Sequence, residues 1–353
     1  MTAESTPPSL PKLAVIAREA GVSVATVSKA LNGRSDVSAH TRRRVADVLE
    51  RRGYPRQRRR RRRGSLVDVM LQGLDSPYAL AVLGGVEAAA WRLGVDVVVS
   101  AATGRTRSGR PPAAWLDRMS ARDSAGILLV RTAPTASQRS WLSDRGIPAV
   151  IVDPRRDPPP GVPVVVSADQ AGARSAVEHL IGLGHRRIAV VTGRPGVPCA
   201  VERLAGYRQA MTGAGLPADP RWEVRGNFRS EDALRATHEL LDRLPAPPTA
   251  VFACSDAMAA GVVQALAERG HRVPADVSVV GFDDSVAAAH VTPPLTTVRQ
   301  PWNALGAAAL AALLSADAPA RVELPTTLVV RASTAAPGSS GVDHSEPVPP
   351  RLG

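Results

Sequence analysis

Hydrophobic positions change their spacing along the chain. Between Leu13 and Arg52 they recur every three to four residues in three runs, Leu13–Ala20, Val24–Leu31 and about Ser38–Arg52, with Val45, Val48 and Leu49 on one face of the third. That spacing places them on one side of an α-helix, and three helices this short can bury their stripes only against one another. Ser23 and Ser38 stand where the second and third helices need N-caps, and Gly21 supplies the tight turn between the first two. In the second run Ala25, Ser28, Lys29 and Asn32 share a small polar face opposite Val27, Ala30 and Leu31. One side docks and the other is left to read.

From Leu66 the pattern becomes short, nearly continuous apolar runs: Leu66–Leu71, Val95–Ser100, Ile127–Val130 and Ala149–Val152, separated by helical stretches such as Ala79–Leu93. Strands buried on both faces read this way, and alternation with helices predicts parallel sheets of βαβ units. After a proline-rich break, Pro154 to Pro163, the alternation restarts with Val164–Ser167, Ile188–Thr192, Ala250–Cys254 and Val277–Phe282 as strands. Helices are expected at about Gln170–Leu183, Glu202–Ala214 and Ala257–Arg269. Two doubly wound units in succession imply a cleft onto which strand carboxyl ends open.

The expected division is a flexible leader 1–11, a helical domain 12–54, an arginine-rich linker 55–64, an α/β domain 65–333 and a disordered tail 334–353. Within the α/β domain one lobe is assigned 65–160 plus 292–320, and the other 163–290 plus 321–333.

Charge divides the chain in the same place. Residues 1–64 carry 16 Lys and Arg against 5 Asp and Glu, a net +11, whereas the remaining 289 residues hold 28 basic and 27 acidic side chains. A polyanion partner therefore meets one end of the molecule only. With two lysines against 42 arginines the composition explains why a basic position is arginine, but not why Arg58, Arg59, Arg60, Arg61, Arg62 and Arg63 stand together. The two cysteines, Cys199 and Cys254, have no metal or disulfide spacing. No apolar run is long enough to cross a bilayer, so a cytoplasmic protein is expected.

A helix-turn-helix presents the start of its second helix to the major groove. Val24 and Ala25 would reach base edges, where short apolar side chains can touch a thymine methyl. Ser23, Thr26, Ser28, Lys29, Asn32 and Thr41 suit phosphate oxygens. The alternative is a small bundle for protein contacts, which the local charge disfavours. The segment Leu13–Tyr54 resembles the helix-turn-helix domain of the lactose-repressor family of bacterial transcription regulators. It shares that family's A-x-x-A-G-V-S core (Ala17, Ala20, Gly21, Val22, Ser23), T-V-S (Thr26–Ser28), L-N-G (Leu31–Gly33), V-S-x-x-T-R (Val37–Arg42) and G-Y (Gly53, Tyr54). The family continues with a hinge helix whose leucine wedges into the minor groove, but this chain has Pro55-Arg56-Gln57 and then arginines. The run either binds minor-groove walls and phosphates or acts as a mobile basic arm.

The segment from about Leu66 to Ser333 is similar to the family's effector domain, which has the two-lobed fold of periplasmic binding proteins (type I). The similarity lies in the order of Asp75–Tyr78, Leu183–Ala189, Arg203-x-x-Gly206-Tyr207, Ser255-Asp256-x-Met258-Ala259-x-Gly261, Val279–Asp284 and Leu295–Pro301. It implies Asp75, Tyr78, Arg203, Phe228, Ser255, Asp256, Asp283 and Gln300 as effector-binding residues. Carboxylates, arginine and aromatics suit a sugar, which needs bidentate hydrogen bonds to hydroxyls and an aromatic face for its C–H side. Asp256 is equally an N-cap, and Asp169 reads better as a cap than as a cleft residue. Trp302 is a second stacking candidate. His179 and His185 read as local packing or hydrogen bonding, not as metal ligands.

The reading is a homodimeric repressor on a near-palindromic operator, released or tightened by a small sugar-like effector, with no cofactor. The alternative is a regulator of the same fold answering to a non-sugar ligand or to none. A transport receptor would need a secretory signal and no reading head. An enzyme would need a phosphate loop or a nucleophile–base pair, and neither occurs.

Overall fold

The computed structural model describes residues 13–31, 37–52, 66–102 and 114–338. The leader 1–11, Asn32, Arg58 to Arg63 with the rest of the linker 55–64, and the tail beyond residue 338 lie outside the described residues.

The head consists of α1 (Leu13–Glu19), α2 (Val24–Leu31) and α3 (Ala39–Arg51). Their stripes meet in one small core of Ile16, Ala17, Ala20, Val27, Val45 and Val48. Both expected caps form: Ser23 Oγ accepts from the Thr26 amide at 3.0 Å, and Ser38 Oγ from the Thr41 amide at 3.1 Å. Gly21 takes φ +60°, the left-handed conformation that a turn this tight asks of glycine. Arg44 closes the end of α1 by donating to the carbonyls of Ala20 and Gly21 at 2.6 and 3.2 Å.

Lobe one is built on a parallel six-stranded sheet. It uses β1 (Leu66–Leu71), β2 (Asp96–Ala101), β3 (Ile127–Val130), β4 (Ala149–Val152), β5 (Val164–Ser167) and β11 (Arg321–Leu324), in the order β11-β5-β4-β3-β1-β2. Lobe two holds the parallel sheet β7-β6-β8-β9, from β6 (Ile188–Thr192), β7 (Glu223–Arg225), β8 (Ala250–Ala253) and β9 (Ser278–Val280). An antiparallel pair, β10 (Thr297–Arg299) and β12 (Thr327–Val329), bridges to the β9 edge through Val280–Thr296 and Asp283–Arg299. Lobe one carries α4 (Pro77–Leu93), α5 (Ala114–Ala121), α6 (Ala136–Asp144) and α11 (Trp302–Leu314). Lobe two carries α7 (Asp169–Gly182), α8 (Pro198–Gly213), α9 (Ser230–Arg243) and α10 (Asp256–Glu268). Gly85 and Gly306 bring α4 and α11 into backbone contact; a Cβ at Gly85 would stand 1.8 Å from the Asn303 carbonyl oxygen.

Three expectations need correction. β5 and β11 pair with each other and join the large sheet, so they belong to lobe one, while residues 295–299 belong to lobe two. The proline-rich break is therefore an ordinary β4–β5 connection, and the chain crosses between lobes near Ala168, Pro301 and Thr326. The tail does not lose structure at Thr334. The Thr334 hydroxyl bonds His179 at 3.1 Å, and the Ala335 carbonyl accepts from Ser278 at 3.1 Å and bonds His185 Nε2 at 2.8 Å.

Candidate functional site

Two surfaces carry the candidate residues. On the head, Val27 is fully buried in the core while Val24 is 46% exposed and Ala25 and Lys29 face solvent. Ser28, Thr26 and Thr41 are half-buried. The Thr26 and Thr41 hydroxyls also close on the capping serines, at 2.8 Å from Ser23 Oγ and 2.9 Å from Ser38 Oγ. The beginning of α2 is thus an exposed small-residue edge held rigidly by its own caps.

In the α/β domain all eight carried-over residues, Asp75, Tyr78, Arg203, Phe228, Ser255, Asp256, Asp283 and Gln300, line one cavity of about 1010 Å³ between the lobes. That is the upper end of ordinary small-molecule sites, roughly 300–1,000 Å³. Its centre is Arg203. Arg203, Gly206 and Tyr207 share a face of α8, which explains their spacing. Gly206 lets the helix press on α7, where a Cβ would stand 2.3 Å from the Gln170 carbonyl oxygen, and the Tyr207 hydroxyl donates to the Ile188 carbonyl at 2.8 Å. Arg203 is thereby aimed at the cleft. Its Nε donates to Asp169 at 2.7 Å, and Nη1 donates to the Cys254 carbonyl at 2.6 Å and to Asp283 at 3.3 Å. The same Asp283 oxygen accepts from Gln300 Nε2 at 2.6 Å, and Gln300 Oε1 accepts from Ser167 Oγ at 3.0 Å. A hydrogen-bonded series thus runs from the end of β5 in lobe one to α8 in lobe two.

Burial would strip charge from Arg203, but Asp169 and Asp283 outweigh it and hold the guanidinium above its usual range. Burial pushes the Asp169 carboxyl up to about 6 against the pull of Arg203, and raises Asp283 for the same reason. The second of the acidic pair, Asp284, turns away to Arg299 and Arg331, each at 2.6 Å.

Aromatic side chains close the walls. Tyr78 and Trp302 meet edge to face at 5.6 Å, and the Tyr78 hydroxyl donates to Asp153 at 2.7 Å. Phe228, held at φ 63°, lays its ring on Gly193, where a Cβ would come within 2.1 Å of it. Asp75 lies exposed on the rim.

Two cap assignments change. Ser255 caps α10, accepting from the Met258 amide at 3.2 Å, so Asp256 is not the cap. The Asp256 carboxylate instead ties the β9 edge together, accepting from the Thr297 hydroxyl at 2.5 Å and the Ser285 amide at 2.6 Å. Asp169 opens α7 without a side-chain capping bond and holds Arg203. Asp153, Arg131 and Arg155, which line the cavity too, were not anticipated. Arg131 and Asp153 follow β3 and β4 directly, and the rule that ligands meet strand carboxyl ends points to both. Among the described residues no group of His, Cys, Asp and Glu is arranged to hold a metal, and no helix is long and apolar enough to cross a membrane.

Residues 12–57 match the model of bacterial regulatory proteins of the lacI family, and residues 177–334 match the periplasmic binding protein-like domain. The HTH-type transcriptional regulator CelR of Thermobifida fusca is 34% identical over 92% of this chain and 98% of its own length. The structure of a CelR–cellobiose complex matches with a TM-score of 0.66 at 33% identity, covering 92% of this chain and 99% of that one. That of the lac repressor dimer bound to operator and the anti-inducer ONPF matches with a TM-score of 0.66 at 28% identity, covering 93% and 100%.

Proposed function

The chain belongs to the lacI family of bacterial regulatory proteins, and from that premise we propose that it is a homodimeric repressor whose grip on a near-palindromic operator is set by a sugar bound between its lobes. The carrying observation is the series Ser167–Gln300–Asp283–Arg203–Asp169, which lines the cavity and spans both lobes. A ligand hydroxyl inserted into that series exchanges bonds with both lobes at once. Occupancy and lobe geometry are therefore coupled, and two-site coupling of this kind changes affinity at the second site by the same factor in both directions.

For DNA, the exposed start of α2 supplies base contacts through Val24 and Ala25, and Ser23, Thr26, Ser28, Lys29, Asn32 and Thr41 supply phosphate contacts. Arg58 to Arg63 add charge beyond them. For dimerisation, α4 presents Leu80 and Trp91 at 58% and 82% exposure, and the edge strand β2 beside it exposes Val99. An apolar face this open is unusual on a monomer. The lac repressor dimer on its operator and the CelR–cellobiose complex lend support to the same arrangement. The proposed role is binding, with no catalytic step.

A mobility-shift assay of the full chain on symmetric duplexes, against unrelated competitor and a panel of mono- and disaccharides, tests this reading. One duplex is expected to be retained at moderate salt and one class of sugar to shift the midpoint. A chain that prefers no duplex, or a complex that no sugar or other small ligand moves, overturns it.

A further inference from the structure

Arg131 and Arg155 bring positive charge into the cavity wall without forming an ion pair. They follow β3 and β4, line the lobe-one side and are half-buried. Arg131 lies over the Tyr78 ring at 5.3 Å, and Arg155 donates to Gln72 Oε1 at 2.8 Å; neither contact neutralises a charge. Arg156, next on the same connection, and Arg194, on the β6–α8 connection of lobe two, are exposed. Among the described residues none of these four arginines forms an ion pair. Arg203 and Arg321 in the same cavity each have two carboxylates. Burial first, and then Arg131 and Arg194, holds Arg155 below its usual range. Nearby acids balance them only in part: Asp153 and Asp169 attract Arg131 through space but are bonded to the Tyr78 hydroxyl and to Arg203, and Asp75 and Asp157 stand exposed on the rim without pairing to these arginines. Arg131 also takes φ 54°, a conformation rarely adopted outside glycine, so its direction is fixed at some cost in strain.

Half-buried guanidiniums outside any ion pair are costly, and planar forks of this kind match phosphate and carboxylate oxygens. We propose that the effector is an acidic sugar, its phosphate or carboxylate seated between Arg131 and Arg155 and its hydroxyls on the Arg203–Asp283–Gln300 set. Like charges on the two sides of the cleft favour separation, and an anion met from lobe two by Arg194 favours closure. This rests on the sugar-effector reading above and narrows it.

Isothermal titration of the full chain decides the matter, with glucose, galactose and ribose set against glucose 6-phosphate, glucuronate, galacturonate and ribose 5-phosphate. Inorganic phosphate is included as a bare anion. One acidic sugar is expected to bind at least about tenfold more tightly than its neutral parent, the worth of one charge-assisted contact, with the preference shrinking as salt rises. The phosphates and the uronates separate the two sources of charge. In R131Q/R155Q the ratio should fall near unity, R155K should keep part of it, and R235Q on the distant surface of α9 should keep all of it. Neutral sugars binding as well as their acids, an unchanged ratio in the double variant, or phosphate binding without any acidic sugar overturns the proposal alone. A chain that binds no sugar of either kind, and whose operator affinity none of them alters, overturns the sugar-effector reading with it.

Discussion

Gln300 and Asp283 are bonded at 2.6 Å where the chain passes from lobe two back to lobe one, and the other end of the Gln300 amide holds Ser167 at the end of β5. One side chain thereby reports the position of each lobe to the other. Gln300→Ala removes a neutral amide partner that an inserted ligand hydroxyl would bond, worth about 0.5–1.5 kcal/mol, or roughly two- to tenfold in affinity. The effector concentration that shifts the operator complex should rise by that factor in a mobility-shift titration. An unmoved midpoint would take Gln300 out of the site.

Arg203 is 4% exposed and satisfies Asp169, Asp283 and the Cys254 carbonyl together. Arg203→Ala leaves two carboxylates in a buried site without their cation, a change that costs about 3–5 kcal/mol in comparable pairs. For a domain of this size that corresponds to a melting point lower by roughly 10 °C, readable by calorimetry. A variant melting with the parent would mean that water replaces the guanidinium without loss.

Asp169 makes the site sensitive to pH. Its carboxyl, at about 6 when folded, lies above the ordinary value of 3.8 because burial outweighs the pull of Arg203. A raised folded value means that its contribution is fully present below about pH 3.8 and is lost as pH rises through about 6. Asp169→Asn removes that loss. The melting point of the variant relative to the parent should therefore climb between pH 4 and pH 6.5. A constant difference across that window would show that Asp169 titrates normally.

Much of this was legible in the chain. The caps at Ser23 and Ser38, the eight apolar strands β1 to β6, β8 and β9, and the convergence of eight residues on one cavity follow from local pattern and resemblance. β7, with the sequence Glu-Val-Arg, carries no hydrophobic period because only Val224 is buried. β11, Arg321–Leu324, has an exposed Arg321 and Glu323 because it closes an edge of its sheet. The division between lobes depends on which sheet β5 and β11 join, and their own residues fit either. Asp169 misleads for a related reason: an aspartate opening a helix looks like a cap, and only the approach of α8 gives it an arginine to hold.

The reading head separates contacts that position from contacts that specify. Lys29 lies exposed on the polar face of α2, so a single phosphate contact there contributes about −0.9 to the slope of log affinity against log salt. Lys29→Gln should reduce that slope by about one while weakening all duplexes alike. Changing Arg58 to Arg63 to alanine should reduce it by up to about five, a difference visible in two salt concentrations. Ser23→Ala acts differently, because it loosens the start of α2 by about 1 kcal/mol without removing charge. Operator affinity should then fall several-fold at an unchanged slope, with Val24 and Ala25 less firmly presented to the bases. A change of slope in Ser23→Ala, or none in the arginine variant, would reverse the assignment of positioning to charge and of presentation to the cap.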